Sequence, residues 1–175
     1  CSNLYPVKRL TMVAEALAEM NQCVKVEWTH IGDGLNVIRK EIFKILASTE
    51  ANVTFKFLGR VKNKTVCDYY LTNPVDLFLN VSESEGLPVS IMEALSFGVP
   101  ILATDAGGTR EVVCDKVGRL ISVSTNSVVL REYIKEFYQE YYGNEELRIN
   151  AKKKWAEVVD SERNFSSFVE SLKEI

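Results

Sequence analysis

The chain has 175 residues, of which 46% are hydrophobic and 26% are charged, and its formal net charge is −3. This length predicts one domain over residues 1–175, with enough chain to bury a single core. The acidic balance excludes a global basic field, so we expect no nucleic-acid partner.

Short apolar runs alternate with amphipathic stretches along most of the chain. Six strands are predicted, one ending near Leu4 and the others over Val24–Ile31, Val53–Leu58, Val75–Asn80, Pro100–Thr104 and Gly118–Ile121. Helices are predicted over Val7–Met20, Leu35–Ala47, Thr65–Leu71, Pro88–Phe97, Thr109–Val113, Val128–Tyr142, Glu145–Val159 and Ser166–Leu172. This alternation predicts an α/β fold, a Rossmann-like doubly wound parallel sheet of about six strands with helices on both faces and a helical C-terminal tail.

The cysteines and the histidine offer no metal site. The four cysteines are scattered and form no C-x-x-C pair, and His30 is the single histidine, for which we expect a structural role. This pattern is typical of reduced thiols in a cytoplasmic protein. We expect no metal and no cofactor, and a cytoplasmic location, with peripheral membrane association of a full-length protein left open. The opening run Cys1-Ser2-Asn3-Leu4 is typical of the end of a strand, which favours a fragment of a longer chain.

The segment after the fourth predicted strand, Val81 to Glu93, carries the strongest functional signal. In an open α/β sheet, ligands bind at the carboxyl ends of the strands, where loops enter helices. Gly86 permits a tight turn, and Pro88 suits the first helical position because its missing N–H would be unpaired there. The free N–H groups from Val89 to Ile91 then predict an anion site, for which a diphosphate is the natural occupant.

Two carboxylates flank this predicted anion site. Glu85 lies just ahead of the turn, and Glu93 lies roughly 7.5 Å along the helix from Pro88. Because carboxylates repel phosphates, we expect both to accept hydrogen bonds from hydroxyls at the two ends of a nucleotide sugar. The helix dipole alone also favours glutamates near a helix start, so a purely structural role stays an alternative.

The run from Glu85 to Thr104, Glu-Gly-Leu-Pro-Val-Ser-Ile-Met-Glu-Ala-Leu-Ser-Phe-Gly-Val-Pro-Ile-Leu-Ala-Thr, resembles the E-x7-E element of a known family. The family is the retaining glycosyltransferases of the GT-B fold, in their glycosyltransferase-1-type branch. Further matches are Pro6-Val-Lys-Arg9, Gly32-Asp-Gly34, Phe57-Leu-Gly59 and Asp105-Ala-Gly-Gly-Thr-Arg-Glu-Val-Val113. The resemblance covers essentially the whole chain and implies the C-terminal, donor-binding half of an enzyme whose N-terminal acceptor-binding domain is absent.

The resemblance implies a role for each matched residue. Glu93 would accept hydrogen bonds from the ribose hydroxyls, and Glu85 would contact hydroxyls of the donor sugar near the reacting carbon. Lys8 would neutralise the diphosphate, so Glu85 and Lys8 are the catalytic pair. Arg60, which would border the base with its neighbours, can equally be a solvated charge at a strand end. The expected donor-binding residues are Lys8, Gly59, Arg60, Val61, Glu85, Gly86, Leu87, Pro88, Val89, Ser90 and Glu93.

One departure from the family is Asn3, which stands where many members carry arginine. Either Lys8 and Arg9 carry the diphosphate, or the donor is held more weakly.

The resemblance implies metal-free transfer, with retention at the anomeric carbon, to a glycan or lipid-linked acceptor. Apolar surface around Trp155, Phe165 and Phe168 would remain exposed in the absence of the other domain. A sugar-nucleotide epimerase or a phosphorylase on the same scaffold, and a catalytically silent nucleotide-sugar-binding module, remain alternatives. The nucleotide, the sugar and the linkage are not specified by these motifs.

Overall fold

The computed structural model describes residues 1–20, 24–160, 162, 164–166 and 169–170. The strands are β1 (Val26–Ile31), β2 (Val53–Gly59), β3 (Phe78–Asn80), β4 (Ile101–Thr104) and β5 (Gly118–Ile121). A 3₁₀ turn over Pro6–Lys8 precedes the α-helices α1 (Leu10–Ala18), α2 (Asn36–Ala47), α3 (Asn63–Thr72), α4 (Val89–Ser96), α5 (Thr109–Val112), α6 (Ser127–Tyr141) and α7 (Glu145–Val159). The helix expected over Ser166–Leu172 falls largely outside the described residues.

All paired strands run parallel, in two groups. β1 pairs with β2, and β4 lies between β3 and β5. Together with the intervening helices, this arrangement confirms the Rossmann-like α/β class. The expectation of six strands was wrong, because the described chain contains five. The segment ending at Leu4 makes only an isolated bridge to Gly34, since too few of its residues lie beside β1 to form a ladder.

Helices cover both faces of the three-stranded group. Ile101 and Ala103 of β4 pack into one apolar cluster, and Leu102 between them packs into the other, because alternate side chains of a strand point to opposite faces. The first cluster draws buried residues from α4, α5 and α7, and the second draws them from α1 and α6. Full burial of one such aliphatic side chain contributes about 1.5–3 kcal/mol.

The β1–β2 pair is covered more thinly. Buried residues of α1 and α2, Ala14, Ile38 and Ile42, pack with Leu4 against partly buried aromatic side chains of the two strands. Along β2, half-buried and exposed residues alternate, which is the pattern of a strand with one covered face.

The expected helical tail is a packed element rather than an appendage. Ala151 of α7 is fully buried in the cluster around α4, and Arg148 donates to the Val75 carbonyl at 3.0 Å. Trp155 and Phe165 are 38% and 68% exposed, as expected, and Phe168 lies outside the described residues. Within the described residues, no helix combines the length and the apolarity that crossing a membrane requires.

Candidate functional site

The expected site residues come from loops at the carboxyl ends of the strands. The chain leaves β3 at Asn80, turns through residues 81–88 and enters α4 at Val89. Because the strands are parallel, the loops that follow β2 and β4 open at the same edge. Lys8, at the end of the 3₁₀ turn, joins them through a contact with Glu85.

Lys8 and Glu85 form an ion pair with 2.8 Å between Nζ and Oε1. Their side chains are only 22% and 12% exposed, so water screens the pair less than it would a surface pair. A backbone bond of 2.9 Å from the Glu83 N–H to the Val7 carbonyl ties the two loops beside it. The structure therefore brings together the two residues expected to act as the catalytic pair.

Asn80 also binds the carboxylate of Glu85. Its side-chain amide donates to Oε1 of Glu85 at 3.0 Å, and its Oδ1 accepts the Ser82 N–H at 3.1 Å. Asn80 is buried and uses both ends of its amide, so it fixes the orientation of Glu85. Asn80 was absent from the expected site residues. The available signal was a polar side chain closing an otherwise apolar strand.

The pKa of Glu85 lies below its ordinary value. Partial burial, the largest single influence, acts to raise this pKa. Hydrogen bonds from Lys8, Ser82 and Asn80, together with the positive charge of Lys8, outweigh it. Glu85 is therefore ionised at neutral pH, and its carboxylate can only accept hydrogen bonds.

The loop after β4 supports the turn that carries Glu85. Gly107 has φ of +54°, and a Cβ added there would lie 1.8 Å from the Glu85 carbonyl oxygen. The Gly108 N–H donates to the Gly86 carbonyl at 3.0 Å. Only glycine at position 107 allows this close approach. Gly107 and Gly108 lie in the run Asp105–Val113 that resembles the family, but the sequence of this run did not predict the contact with Glu85.

The start of α4 differs in two respects from the expectation. Pro88 is the N-cap residue rather than the first helical residue, and no side chain in the described chain caps the helix. The Ile91 N–H, expected to be free, donates to the Pro88 carbonyl at 3.0 Å because the first turn is tightened. The N–H groups of Val89 and Ser90 have no partner within the described residues, so the candidate anion site has two backbone donors rather than three.

The turn does not require glycine at position 86, contrary to the sequence interpretation. Gly86 lies outside the left-handed region, and a Cβ there would meet no atom within 4 Å. Its neighbours Leu87 and Val89 are 48% and 62% exposed. The backbone at Gly86 therefore faces open space that a ligand can approach.

Glu93 lies beside the loop that follows β2. The side-chain amide of Asn63, the first residue of α3, donates to Oε1 of Glu93. Gly59, Arg60 and Val61 come just before α3, so the structure brings Glu93 close to the loop expected to border the base. Arg60 is exposed.

Arg9 and Asn3 do not join this group. The guanidinium of Arg9 donates to the carbonyls of Val123 and Thr125, in the loop after β5. Arg9 therefore holds that loop, which does not support its sharing a diphosphate with Lys8. Asn3 is exposed, and its carbonyl accepts the Tyr5 N–H at 3.0 Å.

His30 has a structural environment. Its ring is buried, and Nε2 donates to the Ser2 carbonyl at 2.9 Å. Burial chiefly, with the charge of the chain's amino group, lowers the pKa of His30 to about 4. A neutral imidazole that ties β1 to the first residues agrees with the structural role expected for it.

A parallel sheet whose loops collect charged groups at one edge is the architecture of Rossmann-like ligand-binding domains. Within that class, this chain belongs to the family Glycosyl transferases group 1, whose family model matches residues 1–154. The resemblance noted in the sequence is thereby confirmed at the level of the family.

Relatives and solved structures agree with this assignment. Protein CapJ of Staphylococcus aureus is 31% identical over 124 residues, which are 67% of this chain and 31% of CapJ. N-acetyl-alpha-D-glucosaminyl L-malate synthase of Bacillus anthracis is 30% identical over 64% of this chain and 28% of its own length. Alr3699/HepE of Anabaena, crystallised with UDP-glucose, superposes with a TM-score of 0.75 at 25% identity, over 99% of this chain and 47% of that chain. The chain thus spans less than half the length of these relatives.

Proposed function

We propose that this chain is the donor-binding part of a glycosyltransferase that moves a sugar from a nucleoside diphosphate to a glycan or lipid-linked acceptor. The observation that carries the proposal is the Lys8–Glu85 pair beside the start of α4, which no side chain of the described residues caps, with Glu93 on the same helix. The solved HepE structure that contains UDP-glucose supports this class of donor. The O-antigen biosynthesis glycosyltransferases among the relatives support glycosyl transfer as the activity.

The diphosphate would lie between Lys8 and the N–H groups of Val89 and Ser90. A lysine ammonium has three donors, so Lys8 can contact a phosphate oxygen while keeping Glu85. The positive end of the helix dipole adds about 0.3–1 kcal/mol of attraction for an anion at its start. Open space beside Gly86 leaves room for the phosphates to approach the backbone.

The two carboxylates would hold the two ends of the donor. Glu85 is ionised and is held in place by Asn80, and it accepts hydrogen bonds from hydroxyls of the sugar. Glu93 accepts hydrogen bonds from the ribose hydroxyls. Its hydrogen bond from Asn63 holds it beside the loop at Gly59–Val61, where the base would lie. Each hydrogen bond to a charged acceptor contributes about 1.5–3 kcal/mol.

The proposed reaction breaks the bond between the anomeric carbon and the diphosphate oxygen. The oxygen of an acceptor hydroxyl forms the new bond with retention of configuration, and the hydroxyl proton passes to the departing diphosphate. Negative charge grows on the departing diphosphate, where Lys8 and the start of α4 stabilise it electrostatically. We propose that these groups replace a metal ion, so that transfer needs no metal or other cofactor.

The acceptor would be held by an N-terminal domain outside these residues. A donor bound to the isolated chain would then face water, and the positioning that supplies much of the rate would be lost. We therefore expect the 175-residue chain to bind the donor without transferring sugar. Product analysis of the complete enzyme would separate transfer from epimerisation or phosphorolysis, and a silent binding module would give no product.

Calorimetry with nucleoside diphosphates and nucleotide sugars, in excess chelator, tests the proposed site. Glu93→Ala is expected to weaken both ligands, because the lost bonds are to the nucleoside. Glu85→Ala should leave the free diphosphate nearly unaffected and reduce discrimination between sugars. Glu83→Ala is the matched control, since Glu83 lies in the same loop and is exposed. Equal losses in the two variants would contradict the assignment, and binding that disappears with chelator would contradict metal independence.

A further inference from the structure

Arg9, the residue after Lys8, has a backbone conformation that is unusual for its side chain. Its φ is +50° and its ψ is +37°, in the left-handed region, and every other positive φ within the described residues belongs to a glycine. Any side chain larger than that of glycine crowds the backbone in this region. A strained residue persists where the surrounding contacts over-determine it, and such residues cluster at functional sites. The contacts that hold Arg9 in this conformation therefore bear on its neighbour Lys8.

The left-handed residue forms the junction between the turn that carries Lys8 and helix α1. The Lys8 N–H donates to the Tyr5 carbonyl at 3.0 Å, and the Arg9 N–H donates to the Pro6 carbonyl at 2.9 Å, which closes the 3₁₀ turn. The helix begins at the next residue. The backbone angles of Arg9 thus set the orientation of the Lys8 turn relative to α1.

The side chain of Arg9 is bound to a different part of the fold. Its guanidinium donates to the carbonyls of Val123 and Thr125 and also contacts the sulfur of Met12. The two carbonyls belong to the loop between β5 and α6, where the Thr125 N–H donates to the Ser122 carbonyl at 3.0 Å. A guanidinium presents its N–H donors as a planar fork, so it binds two carbonyls of one turn at the same time. Arg9 is therefore anchored by its side chain as well as by its backbone.

The two neighbours of Lys8 are both tied to other loops. On one side, the Val7 carbonyl accepts the Glu83 N–H at 2.9 Å, from the loop after β3. On the other side, Arg9 is bound to the loop after β5. The Lys8 side chain is a flexible four-carbon stem, so the position of its ammonium depends on how firmly the backbone beneath it is held. With both neighbours tied, Nζ of Lys8 lies 2.8 Å from Oε1 of Glu85.

We propose that Arg9 is a positioning residue, whose guanidinium ties the Lys8 turn to the loop after β5 and so keeps the Lys8 ammonium at Glu85 and at the diphosphate site. The diphosphate part rests on the proposed function, whereas the contact between Lys8 and Glu85 is present in the free chain. The groups that lower the pKa of Glu85 are Lys8, Ser82 and Asn80, and Arg9 is not one of them. An effect of Arg9 on that pKa therefore passes through Lys8.

The test measures the pKa of Glu85 by NMR titration of the free chain, and the affinity for uridine diphosphate by calorimetry in excess chelator. Arg9→Gly leaves the left-handed backbone freely accessible and removes the guanidinium, so it isolates the role of the side chain. We expect the pKa of Glu85 to rise towards its ordinary value and the affinity to fall about fivefold, because Lys8 is less firmly held. Arg9→Ala should have larger effects on both, since alanine also disfavours the left-handed backbone.

A double-mutant cycle with Lys8→Met shows whether the effect passes through Lys8. In the Lys8→Met background, Arg9→Gly is expected to change neither the Glu85 pKa nor the affinity further, because the group that it positions is already absent. Arg9→Lys, which offers an ammonium in place of the fork, should lie between the unchanged chain and Arg9→Gly.

Arg131→Ala is the matched control. Arg131 also ties α6 to α1, through Glu19 at the opposite end of α1, with 2.6 Å between Nη1 and Oε2. Its removal is expected to leave both the Glu85 pKa and the affinity for uridine diphosphate unchanged.

Two results would overturn the proposal. The first is an Arg9→Gly chain that is less stable but has an unchanged Glu85 pKa, which would make Arg9 a purely structural residue. The second is an equal loss of affinity with and without Lys8, which would mean that Arg9 acts on the ligand itself. If neither Arg9→Gly nor Arg9→Ala folds, the titration of Arg9→Lys decides, and an unchanged Glu85 pKa there contradicts the positioning role. If uridine diphosphate does not bind the unchanged chain, the proposed function is contradicted, while the titration still tests Arg9.

Discussion

β4 and β2 show how differently the two parts of the sheet are built. All four residues of β4 are buried, and the strand is paired on both edges. β2 has no fully buried residue, and among the described residues it pairs with β1 alone. The proposed sugar end of the site, at Glu85, belongs to the part with β4, and the proposed base end, at Gly59–Val61, belongs to the part with β2. The residues at the proposed sugar end are therefore held more firmly than those at the proposed base end.

The largest expected difference is in stability. Leu102→Ala removes a fully buried side chain from β4 and should lower the free energy of unfolding by about 2–5 kcal/mol. Leu58→Ala in β2 removes a side chain that is 42% exposed and should cost under about 1 kcal/mol. Urea unfolding of the two variants measures both values, and an unchanged denaturant slope would verify that the same transition is observed. Similar losses would show that the two parts are equally packed.

Two glycines with similar backbone angles give a sharper comparison. Gly59 and Gly107 have φ of +67° and +54°, so alanine is strained by roughly 1–2 kcal/mol at either position. A Cβ at Gly59 meets nothing, whereas one at Gly107 collides with the Glu85 carbonyl. Gly107→Ala should therefore also displace Glu85 and weaken nucleotide-sugar binding by about tenfold or more. Calorimetry measures this, and an affinity of Gly107→Ala equal to that of the unchanged chain would remove the supporting role of Gly107.

Two carboxylates should respond differently to salt. The pKa of Glu85 is lowered although burial acts to raise it. The pKa of Glu27, which is exposed in β1, is lowered chiefly by a hydrogen bond from Lys25. Each contributes stability above its unfolded pKa and loses that contribution as pH falls through the lowered value. NMR titration should show the Glu27 shift largely abolished at about 0.5 M salt and the Glu85 shift retained. Loss of both shifts would place Glu85 in contact with bulk solvent.

The smallest expected effect is at the junction of the two parts. Asn63→Ala removes the amide that orients Glu93 and should weaken nucleoside diphosphate binding by about threefold, as expected for one hydrogen bond at an exposed position. Asn73→Ala is the control, because Asn73 bonds within the other end of α3. An unchanged affinity for Asn63→Ala would mean that α4 alone positions Glu93.

Periodicity predicted the elements well where a strand or helix is buried by its neighbours. Glu85 and Glu93 were predicted from their spacing around Pro88, and Lys8 was predicted from the match of Pro6-Val-Lys-Arg9 to the family. Gly107 acts through a contact with Glu85, in another loop, and the spacing of residues within one motif cannot reveal such a contact. Asn80 lies only five residues before Glu85, and its signal, a polar residue closing an apolar strand, was overlooked. The sixth strand was a wrong prediction, since the run Cys1-Ser2-Asn3-Leu4 is typical of a strand end but does not reveal how few of its residues pair with β1.

Residues 2–8 join the two parts of the sheet and have a mechanical consequence. Over this short distance the segment is bonded to Ile31, to Glu83 and, through Lys8, to Glu85. A force applied at the amino end of the chain would load the bond between Ser2 and Ile31 first and then pass along the segment to Lys8. The charged pair thus lies on the path by which tension enters this domain, whereas β4 lies off that path.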